Sequence, residues 1–180
     1  MFIDMEVDVP LRLEGTASML AENHGRQVSI LLVEDNEDDA LLTLRALKKN
    51  TVELEEVVVV SDGVEAQDYL FTRGEYESRN GAVMPKLILL DIKLPRLSGL
   101  ELLKSLRSDP RTRIIPVVML TSSAAEQDLI ASYGAGANGY IQKPVSSRDF
   151  EDVVQQVVSY WLGINRAPGA WSPGLLAAGC

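Results

Sequence analysis

Cysteine is nearly absent from this chain. The one residue, Cys180, is the last, so no disulfide can close within the sequence and a reducing compartment suits it. Histidine is as scarce, with His24 alone, which leaves no material for an imidazole-rich metal centre or a histidine-based catalytic group in the body of the chain. Bases are outnumbered, 17 Lys+Arg against 26 Asp+Glu for a net charge of −9, and no Lys/Arg run relieves that balance. A surface of this sign repels the phosphate backbone of nucleic acids and anionic membranes alike. No apolar run approaches the ~20 residues that span a bilayer. The opening MFIDMEVDVP is acidic, unlike the basic start of a secretory leader. No G-x-G-x-x-G follows the first apolar run and no G-K-[ST] loop occurs, so the common nucleotide-binding loops are missing too. The expectation is a cytoplasmic protein with no nucleic-acid partner and no membrane insertion.

What is present is a core. Of 180 residues, 46% are hydrophobic, enough for one ordinary domain with ends. Residues 1–27 are acidic and lack a clear strand or helix period, which reads as a flexible N-terminal extension. Residues 164–180, INRAPGAWSPGLLAAGC, are broken by Pro and Gly and read as a C-terminal tail. Between them, 28–163 form the domain. Short apolar runs at 28–33, 57–60, 86–90, 116–120 and 139–142 predict strands, and amphipathic stretches near 37–49, 62–73, 98–107, 125–135 and 147–162 predict helices. The middle three runs lack polar alternation, as expected of strands covered on both faces. Five βα units in succession predict an α/β fold with a doubly wound five-stranded parallel sheet.

In such a sheet ligands gather beyond the carboxyl ends of the strands. The polar residues at those ends are Glu34 and Asp35 after the first run, Asp91 after the third, Thr121 and Ser122 after the fourth, and Lys143-Pro144 after the fifth. Taken singly, Asp35 or Asn36 reads as the cap of the next helix, Thr121 as another cap, and Lys143-Pro144 as a turn. Taken together, they place three carboxylates, a hydroxyl and an ammonium on one rim. Crowded carboxylates favour a hard divalent cation. A carboxylate beside Mg²⁺ can act as a nucleophile toward phosphorus.

The pieces ILLVEDNEDD, LILLDIKLPRLSGLELL, VVMLTSS and GANGYIQKP resemble, in order and in strand placement, the receiver domain of two-component response regulators, over about 28–163. The resemblance implies a flavodoxin-like (βα)5 receiver fold with Asp91 as phospho-acceptor. It implies Mg²⁺ held by Glu34, Asp35, Asp91 and the backbone carbonyl of Lys93. Thr121 is then the switch hydroxyl, Lys143 the partner of Asp91 or its phosphate, and Tyr140 the aromatic that turns inward. Pro144 would follow a cis bond. Glu34 stands where aspartate is frequent, a variant that reaches the metal directly or through water. Lys93, two after the acceptor, borders the phosphoryl site, and with Ser123 is expected to tune water access and phosphate lifetime.

The 72–85 stretch, TRGEYESRNGAVMP, and the Tyr160-Trp161 ending are similar to the single-domain, chemotaxis-type members, including those paired with phytochrome-type sensor kinases. Its alternative reading is a simple surface insertion. The partners implied are a sensor histidine kinase or a phosphotransfer protein. The tail is too short and too rich in Gly, Pro and Ala for an output domain. The expected role is therefore a stand-alone regulator, a signalling protein rather than an enzyme, acting through the face made by the fourth helix, fifth strand and fifth helix, or a phosphate shuttle. A homodimer through that face is expected, aided by Trp161, Trp171 and Leu175-Leu176. Two other classes remain open: a metal-dependent phosphohydrolase with an aspartyl nucleophile, which wants an acid where Lys93 stands, and a binding module that works without phosphorylation.

Overall fold

The computed structural model describes residues 28–49, 57–81 and 83–166. The expectations placed on His24, Trp171, Leu175-Leu176 and Cys180, on 1–27 as an extension and on 167–180 of the tail lie outside those residues. Five strands, β1 (Ile30–Val33), β2 (Val57–Val60), β3 (Leu87–Leu90), β4 (Val117–Thr121) and β5 (Gly139–Gln142), alternate with five helices, α1 (Glu37–Lys49), α2 (Gly63–Phe71), α3 (Gly99–Ser108), α4 (Glu126–Gly134) and α5 (Ser147–Val158). Every strand pair is parallel and the spatial order is β2-β1-β3-β4-β5. This is the doubly wound flavodoxin-like arrangement that the alternation of runs predicts.

The three central strands are buried along their whole length, whereas the edge strands β2 and β5 are half open. Because side chains alternate across a strand, each central strand feeds two cores. Leu31, Val33, Ile88, Leu90 and Met119 pack with Ala66, Tyr69 and Leu70 of α2 and Leu102, Leu103 and Leu106 of α3. Ile30, Leu32, Leu87, Leu89, Val118 and Leu120 pack on the other face with Ala40, Ala46 and Leu47 of α1 and Phe150, Val154 and Val158 of α5. The unbroken LILL of β3 is apolar because neither face sees water.

The fifth helix differs from expectation. Regular α-helix stops at Val158 and the chain continues as a π turn over Ser159–Ile164, closed by the Asn165 N–H donating to the Tyr160 carbonyl at 2.7 Å. The wider turn keeps Trp161 and Leu162 against the second core and leaves Tyr160 and Ile164 exposed. The 72–85 stretch is also more than a surface insertion. Its 3-10 turn, Gly74–Tyr76, buries Tyr76 edge-on against Tyr69 with ring centres 5.3 Å apart. The Tyr76 hydroxyl donates to Glu65 at 2.8 Å, and Arg79 stacks 4.1 Å over Tyr69 while donating to the Val83 carbonyl at 2.6 Å. Among the described residues no helix is long and apolar enough to cross a membrane.

Candidate functional site: an acidic pocket closed by a lysine

The parallel register carries the polar ends of β1, β3, β4 and β5 to one rim. Glu34 follows β1 directly, its N–H bonded to the Val60 carbonyl at 3.0 Å, and is buried. Asp91 follows β3, with its N–H on the Val33 carbonyl at 3.1 Å, and is buried as well. Asp35 is exposed at the lip. Carboxylate oxygens of Glu34, Asp35 and Asp91 all lie within 4.8 Å of one another. Asn36 realises the capping alternative, its Oδ1 accepting the Asp39 N–H at 3.0 Å at the start of α1.

Backbone packing holds the acceptor in place. Asp91 Oδ1 accepts the N–H of Ile92 at 2.6 Å, and the N–H of Lys93 lies 3.4 Å away, which leaves Oδ2 facing the pocket. Gly99 opens α3 against this loop, donating its N–H to the Ile92 carbonyl at 2.9 Å. A Cβ at that position would overlap the Asp91 carbonyl oxygen, so only glycine lets the helix start come this close. Across the loop, Arg96 sits at φ 61 and bridges to Asp62, the N-cap of α2, with Nε at 2.9 Å. Burial pushes the Asp62 carboxyl up, but the Arg96 hydrogen bond and the Glu65 and Val64 N–H groups outweigh it and hold the group below the usual aspartate range.

Lys143 enters from β5, its backbone N–H bonded to the Thr121 carbonyl at 2.7 Å. Its ammonium lies 2.6 Å from Glu34 Oε2, 2.8 Å from Asp39 Oδ2 and 3.5 Å from Asp91 Oδ2. Burial works against both charged partners of the closest pair. It pushes Glu34 up to about 7 despite the Lys143 hydrogen bond. For Lys143 burial pulls downward, yet the bonds to Asp39 and Glu34 outweigh it and the group moves up, so it stays an ammonium. The asymmetry has a simple cause: one ammonium serves several carboxylates, and the most buried of them carries the deficit.

Thr121 is fully buried and its hydroxyl accepts the Ser123 N–H at 3.2 Å. Ser123 donates in turn to Asp128 of α4, and the Tyr140 hydroxyl donates to the Ser123 carbonyl at 2.9 Å. Thr121, Ser123 and Tyr140 therefore form one linked group between β4, α4 and β5. Tyr140 is half-buried. Lys93 is exposed beside the acceptor. Pro144 departs from the sequence expectation, since the Lys143–Pro144 peptide is trans. Trans is the lower-energy form of an X–Pro bond by roughly 0.5–1 kcal/mol, and with it Lys143 already reaches its acids.

Sequence reasoning brought Glu34, Asp35, Asp91, Thr121 and Lys143 to one rim, and the structure assembles them there. It missed Asp39. The available signal was that Asn36 as N-cap makes Asp39 the third residue of α1, and side chains of a first helical turn lean back toward the N-terminus, here over the rim. The donor set for a metal is all carboxylate oxygen, closely grouped and partly buried, which fits a hard divalent cation such as Mg²⁺ rather than a soft one.

Fold and pocket together define a signalling receiver, and the chain belongs to the response regulator receiver domain family, whose model matches residues 30–155. It is 40% identical over 141 residues to Response regulator Rcp1 of Synechocystis sp. (strain ATCC 27184 / PCC 6803 / Kazusa), covering 78% of this chain and 93% of that protein. The crystal structure of the Mn(2+)-bound form of response regulator Rcp1 superposes with a TM-score of 0.72 at 39% identity, covering 78% of this chain and 99% of that one. The phosphorylated cyanobacterial phytochrome response regulator RcpA superposes with a TM-score of 0.74 at 40% identity, covering 80% and 100%. Members of the family are signalling proteins rather than classical enzymes, and receivers work with histidine kinases and phosphotransfer proteins.

Proposed function

We propose that this chain is a stand-alone cytoplasmic response regulator that accepts a phosphoryl group on Asp91 from the phosphohistidine of a sensor kinase. The observation that carries the reading is Asp91 itself: one carboxylate oxygen is tied to backbone N–H and the other faces a buried ammonium within an acidic trio. Asp91 Oδ2 forms the new O–P bond as the N–P bond of the donor breaks, and the released imidazole takes a proton. Mg²⁺ held by Glu34, Asp35, Asp91 and the Lys93 carbonyl would supply neutralising charge for the phosphoryl oxygens. The relatives support this choice, one structure being a Mn(2+)-bound form and another a phosphorylated phytochrome response regulator. That second likeness favours a phytochrome-type kinase as donor.

The phosphoryl group adds about −1.5 to −2 of charge and fresh acceptor oxygens. Thr121 turns its hydroxyl toward them, which removes the acceptor of the Ser123 N–H and loosens the link that anchors Tyr140. Tyr140 then moves inward and the α4-β5-α5 face changes, a local charge event biasing a two-state surface. Ile130 and Tyr133 of α4 and Tyr160 beyond α5 expose apolar area there for a second copy or a downstream protein. Lys93 and Ser123 border the site and set how readily water reaches the phosphate.

Intact-protein mass after incubation with acetyl phosphate, with and without Mg²⁺, tests the assignment. The expected result is one phosphoryl adduct on the wild type, dependent on Mg²⁺ and absent from Asp91→Asn. An adduct that persists in Asp91→Asn would overturn it.

A further inference from the structure

We propose that Asp39 is a positioning residue for the acceptor: it holds Lys143 in a resting place from which a phosphoryl group on Asp91 has to draw it. This deepens the acceptor reading above and rests on it. Lys143 has three N–H donors, aimed at Glu34, Asp39 and Asp91 at 2.6, 2.8 and 3.5 Å. The longest of these goes to the residue that would carry the chemistry, and at that distance a hydrogen bond is weak. At rest, then, the ammonium belongs to Glu34 and Asp39 more than to Asp91.

A phosphoryl group brings charge and acceptor oxygens that outbid one of those partners. Burial decides which. The Glu34 side chain is 1% exposed, so without the ammonium its Oε2 would have neither that partner nor water, whereas Asp39 is 34% exposed and water can take over its lone pairs. Asp39 is therefore the partner that lets go. Its local frame makes it a fixed anchor until then: its N–H is held by Asn36 Oδ1 at 3.0 Å, and its carbonyl accepts the Thr43 hydroxyl at 2.8 Å. Asp39 thus weights the unphosphorylated state, opposing phosphoryl capture and shortening its stay.

The test uses the full chain and beryllofluoride, titrated by calorimetry in saturating Mg²⁺, on wild type, Asp39→Asn, Lys143→Gln and the double variant. A partly exposed ion pair contributes up to about 1 kcal/mol, so Asp39→Asn is expected to bind beryllofluoride two- to fivefold tighter. Mg²⁺ alone is expected to bind it no tighter than the wild type, because the freed lysine leans further on Glu34 and Asp91. In the Lys143→Gln background the Asp39→Asn effect should vanish, which separates action through the lysine from the direct loss of a negative charge. Asp39→Glu, which keeps the carboxylate, should restore wild-type affinity. Unchanged or weaker beryllofluoride binding by Asp39→Asn, or equal tightening with and without Lys143, overturns the proposal. Wild type that binds no beryllofluoride would sink the acceptor reading beneath it, a result distinct from wild type binding and Asp39→Asn matching it.

Discussion

Replacing Lys143 by methionine keeps length and volume but removes the one ammonium that, among the described residues, touches Glu34, Asp39 and Asp91. Breaking a buried ion pair from one side costs about 3–5 kcal/mol. Two features of this pocket reduce that. Asp39 is a third exposed and regains water, and Glu34, already pushed to about 7, takes up a proton instead of remaining a stranded charge. In chelator at pH 7 the expected loss of stability is therefore about 1–3 kcal/mol, which at ordinary urea sensitivity lowers the unfolding midpoint by roughly 1 M. The same substitution removes the positive charge that competes with a divalent cation. Mg²⁺ should bind Lys143→Met about tenfold more tightly than wild type, a difference near 1.4 kcal/mol, well inside the several kcal/mol that unit charges exchange at such distances. Since a ligand that binds only the folded state stabilises it, saturating Mg²⁺ should restore most of the lost midpoint. Urea unfolding followed by circular dichroism, in chelator and in Mg²⁺, reads both effects. Equal midpoints in chelator, or Mg²⁺ affinity that falls in the variant, would refute the charge balance described here.

The Asp62–Arg96 bridge makes a second expectation. A carboxyl held below its ordinary range stabilises the fold above the unfolded aspartate pKa of about 4 and loses that contribution as pH falls through the lower folded value. Arg96→Gln should therefore show a shallower decline of stability in that acidic window than wild type, read from urea midpoints between pH 2.5 and 7; parallel curves would dismiss the bridge. Sedimentation velocity addresses the outer face: a beryllofluoride-dependent dimer is expected, weakened by Ile130→Asp on the exposed side of α4. A monomer under both conditions would refute the dimer.

Much of the fold was legible because apolar runs and helical periods are local properties. The runs at 86–90 and 116–120 announced buried strands by lacking polar alternation, and β3 and β4 lie in the sheet interior. The run at 57–60 lacks it too, yet β2 is a half-open edge strand, because being covered on both faces depends on which neighbours the topology supplies. The rim residues were legible for a related reason: in a parallel sheet every strand points the same way, so the residue after each run lands at the same edge. Asp39 was not legible in that manner, since it belongs to a helix and reaches the rim only through the turn set by Asn36. The π turn after Val158 escaped too, because Tyr160, Trp161 and Leu162 continue the helical apolar period while the backbone widens beneath them.

By itself, then, the sequence determined the order of elements, the parallel sheet and the presence of Glu34, Asp35, Asp91, Thr121 and Lys143 at its carboxyl edge, since these follow from periodicity and strand direction. Tertiary structure alone decided how the charges are shared. Lys143 is far from Glu34, Asp39 and Asp91 in sequence, and nothing local says that it lies closer to the first two than to the acceptor. That ranking comes from burial and from where β5 and α1 lay their side chains, because the interior leaves a charge only as many partners as the packing brings to it.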